Sequence, residues 1–404
     1  MIETISGSPR TIDIISSKSD AHRAYICSAL AERDSDFTSR VSCRTGSKDI
    51  DATIRCLKAL IAGEREMHPG ESGSTLRFLL PVMGALGHTA DFYGEGRLPE
   101  RPLSPLYEEL VAHGCRISPV GSIPLTIEGR LQPGTFTIAG DVSSQYISGL
   151  LFALPLLDGD SRIVVTGRFE SKAYVDMTLK VLRDFGIEIR EEDWGYAVKG
   201  NQKYRAGEEY KVEGDWSNGC FWLAAGAFVP GGIKVFGLDM NSLQGDKEIV
   251  SLLKRFGAEV SSDKDGITVA PGNLKGIEID ASQIPDMVPI LSVLAAVADG
   301  DTVIRNAERL RIKESDRLAT VTEVMTALGA KIDEKPDGLV IHGVSKLTGS
   351  RVSSHNDHRI AMMAAIASLV SDGPVEIEGK EAVAKSYPDF FIDMAALGLD
   401  EKVK

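Results

Sequence analysis

The sequence predicts an α/β protein built from six related units arranged as two groups of three. Three observations predict it. An apolar helical segment, a glycine, two residues and an apolar residue recur as ELVAHGCRI, VLRDFGIEI, LLKRFGAEV and VMTALGAKI; Gly114, Gly186, Gly257 and Gly329 are spaced by 72, 71 and 72 residues. A second phrase, a start rich in Ser, Gly, Asn or His that leads into a helix of small apolar residues, interleaves with the first. Turn and strand signals such as DGDSRIVV, PGGIKVF, DGDTVIRN and DGPVEIE follow most copies of the second phrase. A period near 70 residues is too long for a solenoid, whose repeats run to about 50. Each unit therefore reads as strands plus two helices.

In chain order, RTIDIIS is an opening strand that belongs to either half. SKSDAHRAYICSALA and LKALIAGEREM, with Gly63, form a shortened first unit. ESGSTLRFLLPVMGAL with ELVAHGCRI, and VSSQYISGLLFALPLL with VLRDFGIEI, form the second and third. VEGDWSNG, residues 212–219, marks the boundary between halves. DWSNGCFWLAAGAFV with LLKRFGAEV, PDMVPILSVLAAVA with VMTALGAKI, and NDHRIAMMAAIASLV with DMAALGL, which holds Gly398, form the last three. The closing glycines suit the left-handed position after a helix, which glycine adopts without steric cost.

Composition narrows the function. The 404 residues suit two domains, and 43% apolar content supplies real cores. The 45 Lys and Arg against 58 Asp and Glu, a net charge of −13, argue against a nucleic-acid partner. Cys27, Cys43, Cys56, Cys115 and Cys220 are odd in number and lack metal-ligand spacing, so reduced cytoplasmic thiols are expected, with neither disulfide framework nor zinc. MIETISGSPRTIDII carries no secretory pattern, and runs such as ISGLLFALPLL fall short of the roughly 20 residues of a membrane span.

Cations crowd several helix starts: Lys18 and Arg23 in SKSDAHR, Arg77 in SGSTLR, Arg359 in NDHR. ERLRIKESDRL, residues 308–318, adds Arg309, Arg311, Lys313 and Arg317. With Ser315 as candidate N-cap, Arg317 falls in the first turn, where the helix dipole disfavours a cation. Bound anions are expected to offset that cost, which implies one or two small, multiply anionic substrates between the domains. Glu314 beside Lys313, and Asp286 in SQIPDMVP, are candidate acid/base groups, although Asp286 also fits an N-cap. His358 is a candidate proton carrier or anion donor. No phosphate loop, dinucleotide fingerprint or nucleophile elbow is present.

SKSDAHR, SGSTLR, RLPERPL, DVSSQYISGLLFALP, ESKAYVDMT, RIKESDRL, NDHRIAM and AKSYPDFF resemble, in order and spacing, the motifs of the 5-enolpyruvylshikimate-3-phosphate (EPSP) synthases over essentially the whole chain. The resemblance implies two domains, residues 16–213 and residues 1–15 with 214–404. Each would hold three βαβαββ units in an inside-out α/β barrel-like arrangement, with the substrates in the cleft between them. It implies transfer of the enolpyruvyl group of phosphoenolpyruvate to the 5-hydroxyl of shikimate 3-phosphate, by addition and elimination through a tetrahedral intermediate. Neither metal nor organic cofactor is implied; a cytoplasmic monomer without nucleic-acid or membrane partners is. Residue by residue, Lys18, Ser19, Arg23, Ser143, Ser144, Gln145, Ser171, Asp286 and Lys313 would bind shikimate 3-phosphate, with Tyr174 beside them. Lys18, Gly73, Arg101, Gln145, Arg317, Arg359 and Lys385 would surround phosphoenolpyruvate. Asp286, Glu314 and Lys18 would be catalytic, with Asp286 taking the 5-hydroxyl proton and Glu314 serving the methylene carbon.

Two positions depart from the family pattern. Glu71 stands where many members have Asn, and Arg309 where some place an Asn that touches shikimate; neither is given a binding role. Gly73 is expected to govern sensitivity to the phosphoenolpyruvate-like inhibitor glyphosate. Two other functions compete: the related transferase acting on a UDP-linked amino sugar, UDP-N-acetylglucosamine, which relies on a reactive loop cysteine, and a non-catalytic anion-binding protein. Cys115 follows a helix-closing glycine and reads as a small core residue. Asp286, Glu314 and Lys18 together argue against a purely binding role.

Overall fold

The glycines that close the first-type helices all adopt left-handed conformations, with Gly63, Gly114, Gly186, Gly257, Gly329 and Gly398 at φ between 65° and 101°. In the computed structural model, which describes residues 8–404 except 35, 45 and 208, these glycines punctuate a chain of two compact units. One is Lys18–Val212; the other is Glu213–Lys404 with the described residues before Lys18.

The Lys18–Val212 unit contains helices α1 (Lys18–Glu32), α2 (Lys48–Ala62), α3 (Gly73–Leu86), α4 (Leu106–Ala112), α5 (Ser144–Ala153) and α6 (Lys172–Asp184). Its first four-stranded sheet runs Glu66–Gly70, Ala90–Gly94, Leu125–Gly129, Cys115–Ile117. The first two strands are parallel and the others antiparallel, the pattern of a βαβαββ unit. Thr135–Ala139, Ser161–Thr166, Gly195–Val198 and Ile189–Glu192 repeat it. Among the described residues the shortened unit contributes only Val41–Ser42, paired in parallel with Tyr210–Lys211.

The other unit contains α7 (Trp216–Gly226), α8 (Ile249–Phe256), α9 (Val288–Ala296), α10 (Arg317–Ala327), α11 (His358–Ala367) and α12 (Phe390–Ala396). Its opening strand Arg10–Asp13, which the residue pattern by itself left open between the halves, pairs in parallel with Ile233–Phe236. Gly266–Ala270 and Glu259–Ser262 complete that sheet. Glu278–Asp280, Asp301–Arg305, Gly338–His342 and Lys331–Lys335 form the next. The last copy is reduced to the parallel pair Arg351–Ser353 and Glu376–Glu378, flanked by a bridge from Val375 to Val403.

The two phrases give two kinds of helix. Helices of the small-residue phrase are buried on every side, as all residues of α9 and α11 are. Those of the glycine-closed phrase have one apolar face: α8 buries Ile249, Leu252, Leu253 and Phe256, each contributing roughly 1.5–3 kcal/mol, and ends on Lys254 and Arg255. Small residues allow close approach. Pro81 inside α3 cannot donate to the Arg77 carbonyl, and Gly149 of α5 packs on that freed oxygen, where a Cβ would stand 2.3 Å away. That close approach brings the first turn of α5 beside α3, and both helix starts carry candidate site residues.

Candidate active site

ERLRIKESDRL folds as a 3₁₀ turn, Glu308–Ile312, leading into α10. The cap of α10 is Asp316, which accepts the Ala319 amide, so the expected cap at Ser315 is corrected by one residue. Ser315 is engaged elsewhere: its hydroxyl donates to Asp357 Oδ2 at 3.0 Å. Arg311 is structural, bonding the Lys335 and Pro336 carbonyls and pairing with Asp316 and Glu334.

Arg317 opens α10 with 1% of its side chain exposed. Three carboxylates of the same unit offset the dipole and desolvation cost. Nε donates to Asp357 Oδ2 at 2.8 Å, Nη2 to Asp357 Oδ1 at 3.1 Å and Glu314 Oε2 at 2.7 Å, and Nη1 to Asp286 Oδ1 at 2.7 Å. Burial acts to lower the Arg317 pKa, but the charges of Asp357, Glu314 and Asp286 outweigh it and raise the pKa. The expectation that substrate anions supply this compensation is thus corrected: the protein's own carboxylates do.

Asp286 lies in a 3₁₀ turn, Pro285–Met287, ahead of α9 and is not its N-cap. Its carboxylate also lies 3.5 Å from Lys313 Nζ and 3.6 Å from Arg359 Nη2. Burial would raise its pKa, yet Lys313, Arg359 and Arg317 together hold it well below the ordinary carboxylate range. Lys313 feels the opposite balance: burial pushes it down to about 8, with Arg309 and Arg317 adding and Asp286 and Glu314 opposing. Arg309, unexplained by sequence, therefore acts on Lys313. Asp357 caps α11 by accepting the Arg359 amide at 2.9 Å, and His358 is buried in the same first turn. Lys385 donates to the Asn356 carbonyl at 2.6 Å, next to Asp357. Asp246 is buried nearby; burial raises its pKa to about 6 against the pull of Arg359.

The Lys18–Val212 unit gathers the remaining candidates in two sets. Lys18 opens α1 and pairs with Asp49 Oδ2 at 2.7 Å. Arg23 is buried, donating to Thr178 Oγ1 at 2.8 Å and to the carbonyls of Ser19 and Tyr174 at 2.5 and 2.8 Å. Burial lowers its pKa to about 10, against the opposing charge of Asp20. Ser171, at φ 53°, is the left-handed residue before α6, which carries Tyr174. The second set lies at the starts of α3 and α5. A Cβ on Gly73 would stand 2.9 Å from Nη1 of both Arg77 and Arg101. Arg77 Nη1 donates to Gln145 Oε1 at 2.8 Å, and Gln145 Nε2 donates to Ser74 Oγ at 2.9 Å. Ser143 caps α5, and Ser144 is its buried first residue. Glu71 packs over Gly96, where a Cβ would meet its Oε2 at 2.6 Å.

Sequence reasoning gave no role to Asp357, Asp49 or Asp246, and saw Arg77 only as a cation. Asp357 was visible in NDHR as an acid directly before a helix, the signature of a cap. Nothing local marks Asp49 as the partner of Lys18. Cys115 is buried in a strand, and burial pushes its thiol up to about 11, unlike a reactive loop thiol. Among the described residues no cluster of three His, Cys, Asp or Glu is placed to hold a metal.

The fold is that of the enolpyruvyl transferases. An EPSP synthase from Acinetobacter baumannii superposes with a TM-score of 0.79 at 24% identity, covering 97% of both chains. The enolpyruvyl transferase NikO from Streptomyces tendae gives 0.74 at 18%, covering 97% of this chain and 96% of that one. Residues 61–394 match the family model of EPSP synthase (3-phosphoshikimate 1-carboxyvinyltransferase). A 3-phosphoshikimate 1-carboxyvinyltransferase of Clostridium kluyveri is 44% identical over 408 residues, 96% of this chain and 94% of the relative. That of Clostridioides difficile is 44% identical over 419 residues with the same coverage. The chain belongs to the EPSP synthase family and is an enzyme of that kind.

Proposed function

We propose that the chain moves the enolpyruvyl group of phosphoenolpyruvate to the 5-hydroxyl of shikimate 3-phosphate, releasing phosphate, and that it divides the work as follows. Lys18, Ser19, Arg23, Ser143, Ser144, Gln145 and Ser171 hold shikimate 3-phosphate, with Lys313 and Asp286 on its hydroxyl side. Gly73, Arg101, Gln145, Arg317, Arg359, Lys385 and Lys18 hold phosphoenolpyruvate. Asp286 takes the hydroxyl proton, and Glu314 with Lys18 serves the methylene carbon, so the addition–elimination sequence has its base and acid in place. Arg317 has four of its five N–H groups engaged by carboxylates. A direct contact with phosphoenolpyruvate therefore uses the fifth or displaces a carboxylate.

The observation that carries this reading is the pair of carboxylates, Asp286 and Glu314, each 2.7 Å from Arg317. Besides neutralising Arg317, these two acids put a proton acceptor and a proton donor beside the cations that anionic substrates need. The work is done without metal or organic cofactor, by a cytoplasmic monomer; five free cysteines, four of them buried, fit a reducing compartment, and the net charge of −13 speaks against a nucleic-acid partner. No described helix is long and apolar enough to cross a membrane. The test is phosphate release: none with either substrate alone and steady release with both. Silence with both would sink the proposal. Asp286→Asn and Glu314→Gln should each lower turnover by roughly 10²–10⁴ with smaller changes in KM.

A further inference from the structure

We propose that His22 is a positioning residue for the phosphoenolpyruvate side of the site, acting through a chain of hydroxyls that ends at the cap of α3. The proposal rests on the reading above that Gly73 faces phosphoenolpyruvate. His22, on α1, is 1% exposed. Its Nδ1 lies 2.7 Å from Thr53 Oγ1 on α2, which lies 2.6 Å from Thr75 Oγ1 on α3, which lies 2.7 Å from Ser72 Oγ. Ser72 is the N-cap of α3 and also accepts the Thr75 amide at 3.2 Å. The other ring nitrogen, Nε2, is enclosed and meets no hydrogen-bonding group among the described residues. The Phe78 ring stands edge-on to the imidazole at 6.5 Å.

Burial, with the charges of Lys18 and Arg23 adding, lowers the His22 pKa well below its ordinary value, so the ring is neutral. A neutral imidazole carries one N–H. On Nε2 that proton would be a buried donor without an acceptor, the rarer and costlier kind of orphan. It therefore sits on Nδ1 and is donated to Thr53. The direction then propagates: Thr53 donates to Thr75, Thr75 to Ser72 at 2.7 Å in preference to the Asp49 carbonyl at 3.5 Å, and the Ser72 oxygen receives both the hydroxyl and the amide of Thr75. With both acceptor sites of Ser72 filled, its rotamer is fixed. So is the first turn of α3, which presses Gly73 against the guanidinium groups of Arg77 and Arg101. Nothing in this relay touches substrate; it sets where the α3 backbone stands.

The experiment combines kinetics with ring-nitrogen NMR on the full chain. His22→Leu should raise KM for phosphoenolpyruvate about tenfold, the equivalent of ~1.4 kcal/mol, with turnover and KM for shikimate 3-phosphate changed less than about twofold. His22→Asn, whose amide nitrogen stands where Nδ1 does, should restore the wild-type value. Thr53→Val should copy His22→Leu, and the double variant should be no worse than either, because both break one chain. Nitrogen-15 spectra, with the His22 signal assigned by its loss in His22→Asn, should show the Nδ1–H tautomer and no titration between about pH 5.5 and 8. An Nε2–H tautomer, additive effects, or an Asn variant no better than Leu would overturn the relay. If the coupling holds but the affected KM is that for shikimate 3-phosphate, the relay stands and the assignment of Gly73 falls. Should His22→Leu fail to fold, Thr53→Val against Thr53→Ser carries the same comparison.

Discussion

Asp357 is the largest of the charges that offset the burial of Arg317, and its replacement tests the electrostatic account of the site. Asp357 is fully buried and donates nothing; it accepts two bonds from Arg317, one from Ser315 and one from the Arg359 amide. Breaking a buried pair by removing one partner costs about 3–5 kcal/mol. In Asp357→Asn two carboxylates still face Arg317, and Asn caps a helix about as well as Asp, so the cost should lie at the low end, about 3 kcal/mol. Asp357→Ala also loses the cap, adding about 1 kcal/mol, while the Ser315 hydroxyl keeps Thr320 Oγ1 as a partner at 3.1 Å. With a urea slope near 2.5 kcal/mol per M, the Asn variant should unfold at roughly 1.2 M less urea. Hydrogen exchange locates the loss: protection should fall in α10 and α11 and stay unchanged in α3 and α5. Because Arg317 holds the Asp357 pKa below the ordinary range despite burial, its contribution is fully present above about pH 4 and is lost as the pH falls further. The difference between wild type and Asp357→Asn should shrink accordingly in acid. A loss under 1 kcal/mol at pH 7, or equal loss of protection in both units, would refute the reasoning.

Other perturbations test separate features. A Cβ at Gly257 would stand 2.3 Å from the Asn273 carbonyl at φ 101°, whereas at Gly63, at φ 74°, it would meet nothing within 4 Å. Gly63→Ala should therefore cost about 1–2 kcal/mol, the price of the left-handed conformation, and Gly257→Ala clearly more by denaturant unfolding; equal costs would contradict the packing. Burial raises the Asp246 pKa to about 6 against Arg359. Its contribution favours folding below about pH 4 and is lost as the pH rises through 6, so Asp246→Asn should stabilise by up to about 3 kcal/mol above pH 6 and by nothing at pH 4, read from melting temperature against pH. Gly73→Ala should cost about 1 kcal/mol, since the buried Arg77 guanidinium, which donates to Gln145, must shift together with that of Arg101. It should weaken phosphoenolpyruvate and glyphosate together, and a loss confined to one would contradict their shared site.

The local half of the architecture was legible in the sequence and the long-range half was not. Glycine closures, helix starts and turns are written in a few adjacent residues, so Gly114, Gly186, Gly257 and Gly329 disclosed the repeat. Pairing between distant segments leaves no such mark. Arg10–Asp13 looks like any short strand, and only the fold places it beside Ile233–Phe236. The same holds for the site: the cations stood out as misplaced at helix starts, while the counter-charges of Arg317 other than Glu314, three residues away, lie far along the chain, Asp286 at 31 and Asp357 at 40 residues. Ser315 misled because Ser and Asp are equally good caps and two adjacent candidates differ only in what else they must satisfy.

Two of the three carboxylates that neutralise Arg317, Asp286 and Glu314, are also the proposed proton carriers, and this double duty sets an order of events. While Asp286 faces Lys313, Arg359 and Arg317 it is held ionised, and for that reason it is a weak base. An anionic substrate that occupies Arg359 and the last N–H of Arg317 draws on the same positive charge and so raises the basicity of Asp286. Proton abstraction is then strongest only once phosphoenolpyruvate is in place. The consequence is measurable in pH–rate profiles taken with phosphoenolpyruvate varied at saturating shikimate 3-phosphate. The acid limb of kcat/KM reports the base without phosphoenolpyruvate, and that of kcat reports it with the substrate bound. The limb in kcat should lie at the higher pH. Coincident limbs would mean that the cations bind the substrate without releasing Asp286, and the link between occupancy and proton transfer would be lost.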